Sequence, residues 1–406
     1  MCPVFIIKKE IDCNTKERKV NGKRIKESFI LVKKIKMELL YKNIILNLYT
    51  NKIAIDVNSC YDDGIRNGNR LQFLTKQEKG SGKMIKFVSF YGENSSVFEE
   101  LNEKTRQYAE ERGIEYIWKP QTPYNVEEVI ENLNDVDAGM IDVEPYDEKI
   151  FARMNDRCKL LVRFGVGYDK VDLDAASAHD IRVARTTGAN KTGVADMAMM
   201  MMLAAGRQVM INRKVVESGV WMKNIGSELI GKKVGILGFG SIGITLAKLL
   251  TGFDCEVVAY DVYRNEEAAR TYHVRFTDLE EIFTTCDAIS VHLPYNKDTD
   301  HLIDAGAFDK MKKNAILVCT ARGNIIDEDA LYEALVNRKI AAAGLDVYRM
   351  EPLPVNSKLI GLDNIILTPH VSSQTYESIW NTYKKGVDIV ADFFAGKELG
   401  KGDLLN

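Results

Sequence analysis

The sequence has no uninterrupted apolar run near the ~20 residues that a membrane-spanning helix requires. It also has no C-x-x-C pair. Its seven cysteines (Cys2, Cys13, Cys60, Cys158, Cys255, Cys286 and Cys319) are odd in number and scattered. That pattern argues against a disulfide framework or a zinc site, and reads as reduced thiols of a cytoplasmic protein. Metal-ligand spacing is lacking throughout, so no metal is expected. The formal net charge is only -3 over 406 residues, which gives no reason to expect nucleic acid as a partner. The opening stretch MCPVFIIKKEIDCNTKERK is too polar, too early, for a secretory signal. Histidine is scarce, with five in all.

What charge there is lies unevenly. Residues 1–83 carry 18 Lys/Arg against 9 Asp/Glu, while the remaining 323 residues hold 37 against 49. The change falls at KQEKGSGK (76–83), a flexible polar stretch unsuited to a helix or strand. Two readings stand for this segment: a basic extension that binds something anionic, or a stretch absent from the mature protein, with Met84 the real start. A chain of this length accommodates two further domains.

From Met84 onward, short apolar runs alternate with helical patterns. IKFVSFYG, IEYIWK, AGMIDV and KLLVRFG read as strands; SSVFEELNEKTRQYAEERG, YNVEEVIENLN and DEKIFARMND read as the helices between them. Strands separated by helices of about ten residues imply βαβ units and a parallel sheet. The segment NKTGVADMAMMMMLAAGRQVMINRKVVESG (190–219) is helical in pattern but too apolar to leave one face wet. Burial on all sides and packing against a second subunit both account for it. A second set of strands follows: VGILGF, EVVAYD, AISVHL, AILVCT, AAAGLDV and IILT. Such near-continuous apolar runs suit a parallel sheet covered on both faces. The final YESIWNTYKKGVDIVADFFAGKE is amphipathic and is expected to return to the first domain.

The second set opens on a strand that runs into G-F-G-S-I-G and then a helix. Gly238 allows the tight turn, Gly240 lets the backbone approach a pyrophosphate, and Gly243 permits close helix–strand packing. Ser241 and Ile242 stand at the helix N-terminus, where free N–H groups and the dipole favour phosphate. Eighteen residues past Gly243, at the end of the second strand, Asp261 is suited to accept hydrogen bonds from the adenosine ribose and to repel a 2′-phosphate. The cofactor expected is therefore NAD.

In an open parallel sheet ligands sit outside the carboxyl ends of the strands. Arg322, Glu351 and His370 follow the runs AILVCTA, AAAGLDVYRM and NIILTP, so all three should share the sheet edge with the glycine loop. Pro294, in the VHLP strand end beside His292, and Thr320 are assigned to the cofactor there. Metal-free hydride transfer needs such a trio. A base exchanges the hydroxyl proton, a carboxylate orients the imidazole, and a guanidinium fork grips a substrate carboxylate.

The motifs GVGYDKVDLDAA, GKKVGILGFGSIG, CTARGNIIDEDAL, GLDVYRMEP and LTPHVSS, in that order, resemble those of the D-isomer-specific 2-hydroxyacid dehydrogenases over nearly all of 84–406. The resemblance implies a flavodoxin-like substrate domain (84–185 plus 376–406) and an inserted Rossmann NAD-binding domain (186–375), both doubly wound α/β. It implies Arg322 as carboxylate anchor, Glu351 as partner acid and His370 as acid/base. It further implies backbone amides of Val166 and Gly167 on the substrate carboxylate, Asp346 facing the nicotinamide amide, and a homodimer paired through 190–218. Asp196 departs from the Glu that the family usually carries in V-A-E, and Thr320 from the Ser or Asn frequent there; neither touches the trio. The chain looks most like short 3-phosphoglycerate dehydrogenases, with hydroxypyruvate or glyoxylate reductases almost as similar. Formate dehydrogenases, which carry Gln in place of the acid, fit less well. A regulatory, corepressor-like NAD-binding protein on the same fold is the alternative.

Overall fold

The computed structural model describes residues 84–121 and 123–406; the basic segment 1–83, and both readings of it, lie outside the described residues. Two wholly parallel sheets organise the rest. The first holds β1 (Ile85–Ser89), β2 (Ile114–Trp118), β3 (Ala138–Ile141), β4 (Leu160–Arg163) and β5 (Arg182–Arg185), in the order β2-β1-β3-β4-β5. This is the flavodoxin-like winding, with the strand order reversing between β1 and β3. The second holds β6 (Lys233–Leu237), β7 (Glu256–Tyr260), β8 (Val274–Phe276), β9 (Ala288–Val291), β10 (Ile316–Cys319), β11 (Ala342–Leu345) and β12 (Ile365–Leu367). Its order, β12-β11-β10-β9-β6-β7-β8, is that of a dinucleotide-binding sheet, reversing between β6 and β9.

The apolar runs are buried on both faces, as covered parallel strands require. On β6, Leu237 joins one cluster with Val291, Leu317 and Leu345, while Ile236 joins the opposite one with Met201, Leu246 and Val318. The helices that close the crossovers begin on side-chain caps. Asp327 accepts from the amides of Asp329 and Ala330, and Asp278 and Asp304 do the same for their helices.

The apolar 190s segment is not one helix. It runs from Lys191 to Gly206, reverses hand at Gln208 (φ +51°) and restarts as Val209–Glu217, bent by 59°. The first part lies against the second sheet with eight of its residues buried; the second part buries none. Among the described residues no single helix is long and apolar enough to cross a membrane. The closing helix, Tyr376–Phe394, crosses back to the first sheet and packs Ile379, Tyr383, Val387 and Val390 against Phe87, Met140 and Val162. Two strands absent from the sequence expectation, β5 and β8, form an edge of each sheet.

Candidate active site

The candidate site residues lie in the segments that follow the carboxyl ends of strands, from the glycine loop and helix start after β6 to Glu351 after β11 and His370 after β12. The glycine loop follows β6. Gly238 has φ +99°, and a Cβ there would stand 2.6 Å from the backbone carbon of His292, so only glycine fits without strain. A Cβ on Gly243 would collide with the Gly238 carbonyl, whereas one on Gly240 would meet nothing within 4 Å. Open space at Gly240 is what the approach of a pyrophosphate needs. Gly240 also caps the Ser241–Leu250 helix without a side-chain bond, leaving the first amides of Ser241 and Ile242 unclaimed by a capping side chain.

Asp261 follows β7. Its Oδ2 accepts from the Phe239 amide at 2.6 Å and its Oδ1 from the Tyr263 amide at 2.8 Å, which ties the carboxylate to the loop. A carboxylate offers about four acceptor positions, so capacity remains for ribose hydroxyls. After β9, Pro294 is exposed; His292 bonds Ser290 Oγ at 2.9 Å and Thr320 Oγ1 at 3.5 Å. Burial pushes the His292 imidazole down to about 4, so it is neutral at physiological pH.

The trio converges. A cleft of about 230 Å³ is lined by Arg322, Glu351 and His370, with Gly167 and Arg163 from the first sheet. His370 Nδ1 lies 2.8 Å from Glu351 Oε2, and the other oxygen of Glu351 accepts from the Tyr348 amide at 3.0 Å. Burial alone would raise the Glu351 carboxyl; the hydrogen bond and charge of His370, the Tyr348 amide and Arg322 outweigh it and hold it below the usual carboxylate value. His370 itself has φ +54°, a left-handed conformation that costs a non-glycine residue free energy. What imposes it is Asp346. That wholly buried carboxylate accepts from Thr368 Oγ1 at 2.5 Å, from the Val371 amide at 2.9 Å, from the Ser372 amide at 2.8 Å and from Ser372 Oγ. The His370 amide donates to the Asp346 carbonyl at 2.9 Å. Asp346 thus fastens the loop that presents the imidazole.

Arg322 donates from Nε to Asp169 Oδ1 at 3.1 Å and from Nη1 to the Ala321 carbonyl at 2.7 Å. Its guanidinium lies where a side chain on Gly167 would be, which brings it against the Val166–Gly167 backbone. Asp169 is a site residue that the sequence reading quoted, within GVGYDKVD, without assigning it a task. Asp142 and Arg163, which line the same cleft, were quoted only as parts of the strands AGMIDV and KLLVRFG and were given no task either. Charged residues at the ends of β3 and β4 were the available signal.

Two parallel sheets, one with a glycine loop at its reversal point, are the architecture of a dinucleotide-binding protein. The family described as "D-isomer specific 2-hydroxyacid dehydrogenase, NAD binding domain" matches residues 199–372. Hydroxypyruvate reductase of Thermotoga maritima is 39% identical over 246 residues, 60% of this chain and 78% of that one. D-3-phosphoglycerate dehydrogenase of Archaeoglobus fulgidus is 35% identical over 287 residues, 70% of this chain and 54% of that one, so the chain spans about half of that relative's length. Among solved structures, D-lactate dehydrogenase of Aquifex aeolicus complexed with NAD and lactic acid superposes with a TM-score of 0.66 at 25% identity, covering 79% of this chain and 98% of that one. The chain belongs to the D-isomer specific 2-hydroxyacid dehydrogenase family, and its cofactor is NAD.

Proposed function

We propose that the protein is an oxidoreductase of CH–OH donors that interconverts a D-2-hydroxy acid and its 2-keto acid. The substrates that the relatives' names favour are 3-phosphoglycerate with phosphohydroxypyruvate, and hydroxypyruvate or glyoxylate, each with its own 2-hydroxy acid. Residues 84–185 with 376–406 would form the substrate-binding domain, and 186–375 the domain for NAD. Gly238, Gly240, Ser241, Ile242, Gly243 and Asp261, with Pro294, Thr320 and Asp346 nearby, would hold NAD, which would supply the hydride acceptor or donor. The chain's own residues do the remainder. Arg322 grips the substrate carboxylate as a fork, with the Val166 and Gly167 amides beside it. His370, its Nδ1 committed to Glu351, exchanges the hydroxyl proton through Nε2. Glu351 stabilises the charged imidazole.

The observation that carries this reading is the 2.8 Å His370–Glu351 pair in the same cleft as Arg322. The direct test is oxidation of NADH by the purified protein with phosphohydroxypyruvate, hydroxypyruvate, glyoxylate and pyruvate. Turnover with at least one is expected, and its absence with all four overturns the reading. The proposal extends to a homodimer through the 190–218 region. The Val209–Glu217 helix buries no residue, and the stretch after it exposes Trp221 (85%) and Ile225 (91%), an apolar patch that a partner would cover. A cytoplasmic location fits the free Cys158, Cys286 and Cys319, whose thiols burial raises to about 12, 11 and 11.

A further inference from the structure

The wall of the cleft contributed by the first sheet carries charge that the trio does not use. Asp142 immediately follows β3, and Arg163 ends β4, its register neighbour being Ile141. Both line the cleft with Arg322, Glu351 and His370. The Arg163 side chain is 9% exposed and its Nη1 lies 3.4 Å from Asp142 Oδ1; it also donates to the Phe164 carbonyl. Its charge is therefore answered inside the protein. Elsewhere on the lining Arg322 faces Asp169 at 3.1 Å and Arg349 faces Asp329 at 3.9 Å, whereas Lys170 is in no ion pair among the described residues. Asp142, 27% exposed, keeps part of its carboxylate open to the cleft. Burial pushes that carboxyl above the usual range against the pull of Arg163, the Val143 amide and His370, so it gains from a donor that a ligand brings.

A phosphate group carries about -1.5 to -2 charges at neutral pH and needs cations that are not already matched. Here it would meet Asp142 with Arg163 already engaged. A hydroxyl on the third carbon of a 2-keto acid meets the opposite situation: a partly desolvated carboxylate able to accept from it.

Building on the dehydrogenase reading above, we propose that Asp142 determines substrate specificity, selecting an unphosphorylated 2-keto acid with a hydroxyl on its third carbon and rejecting the phosphorylated counterpart. Arg322 holds the substrate carboxylate, and Asp142, presented from the other sheet, accepts from the distal hydroxyl. A hydrogen bond to a charged group is worth roughly 1.5–3 kcal/mol, about ten- to a hundredfold in kcat/KM.

The test compares kcat/KM for hydroxypyruvate, phosphohydroxypyruvate, glyoxylate and pyruvate, with NADH, for the full chain and for Asp142→Asn and Asp142→Ala. For the unaltered protein hydroxypyruvate should exceed phosphohydroxypyruvate and pyruvate by at least tenfold. Asp142→Asn, which removes the charge and keeps the shape, should shift the phosphohydroxypyruvate to hydroxypyruvate ratio upward by at least tenfold. Asp142→Ala should bring hydroxypyruvate down toward pyruvate. NADH binding and the melting temperature of each variant separate a lost fold from lost specificity, and the unaltered protein's ratios decide the matter without either variant. A preference for phosphohydroxypyruvate, or an Asp142→Asn ratio that does not move, overturns the inference and leaves the dehydrogenase reading intact. No turnover with any of the four overturns both.

Discussion

The two ends of the site are built by different means. The cofactor end is made of backbone: three glycines, the unclaimed amides of a helix start and one carboxylate tied to the loop, all within residues 238–261. The substrate end is made of charge. Arg322, Glu351 and His370 meet Asp142, Arg163 and Asp169, drawn from both sheets and more than two hundred positions apart at the extremes. A backbone site tolerates no change of shape, and a charge site no change of count. Variants that alter one and spare the other should separate hydride-carrier binding from substrate handling.

The largest effect is expected at the charge end. His370→Ala should lower turnover by on the order of a hundred- to ten-thousand-fold while NADH binding, followed by its fluorescence, stays as it was; unchanged turnover would refute the role given to the imidazole. The backbone end answers next. Gly238→Ala places a methyl group 2.6 Å from the His292 backbone at φ +99°, and the strained conformation alone costs about 1–3 kcal/mol. A lower melting temperature and weaker NADH binding are expected, and the comparison breaks if NADH affinity is kept. Arg322→Lys substitutes a point charge for the fork, so KM for the keto acid should rise about tenfold, roughly 1.4 kcal/mol, with a smaller change in kcat. An unaltered KM would place the carboxylate elsewhere.

The smallest effect concerns pH. Glu351 is held below the usual carboxylate value and is ionised throughout the neutral range. Reduction of a keto acid consumes the proton on His370, and a neighbouring anion stabilises that charged form. In the unaltered protein kcat/KM for reduction should therefore hold until the pH falls below the usual carboxylate range, and Glu351→Gln should remove that acid limb. A limb that stays put would reduce Glu351 to a steric support.

The same contrast explains what could be read from the chain. The glycine loop is local, so its spacing and flanking apolar runs were enough to place it. The central strands were equally legible because burial on both faces forces an unbroken apolar run. The edge strands β2 and β12 keep apolar runs and were read, but β5 and β8, four and three residues long, carry Arg182, Arg185 and Arg275 among few apolar residues. Their patterns therefore gave no comparable signal. The turn at Gln208 was hidden too, since composition on either side favours a helix and the break lies in one residue's backbone. The trio was found because the ends of strands must converge. The Asp142–Arg163 pair was not, because a lone acid after β3 and a lone base in β4 look like surface charges until the parallel register sets them side by side.

The route of the closing helix has a practical consequence. Because Tyr376–Phe394 returns to cover Phe87, Met140 and Val162, no single cut releases the first sheet with its surface complete. A fragment spanning 84–185 would carry that apolar face bare into water and aggregate, and adding the 376–406 peptide in trans should restore solubility. Any dissection of this chain into halves must therefore be a reconstitution from pieces, or a circular permutation that joins the two distant stretches into one.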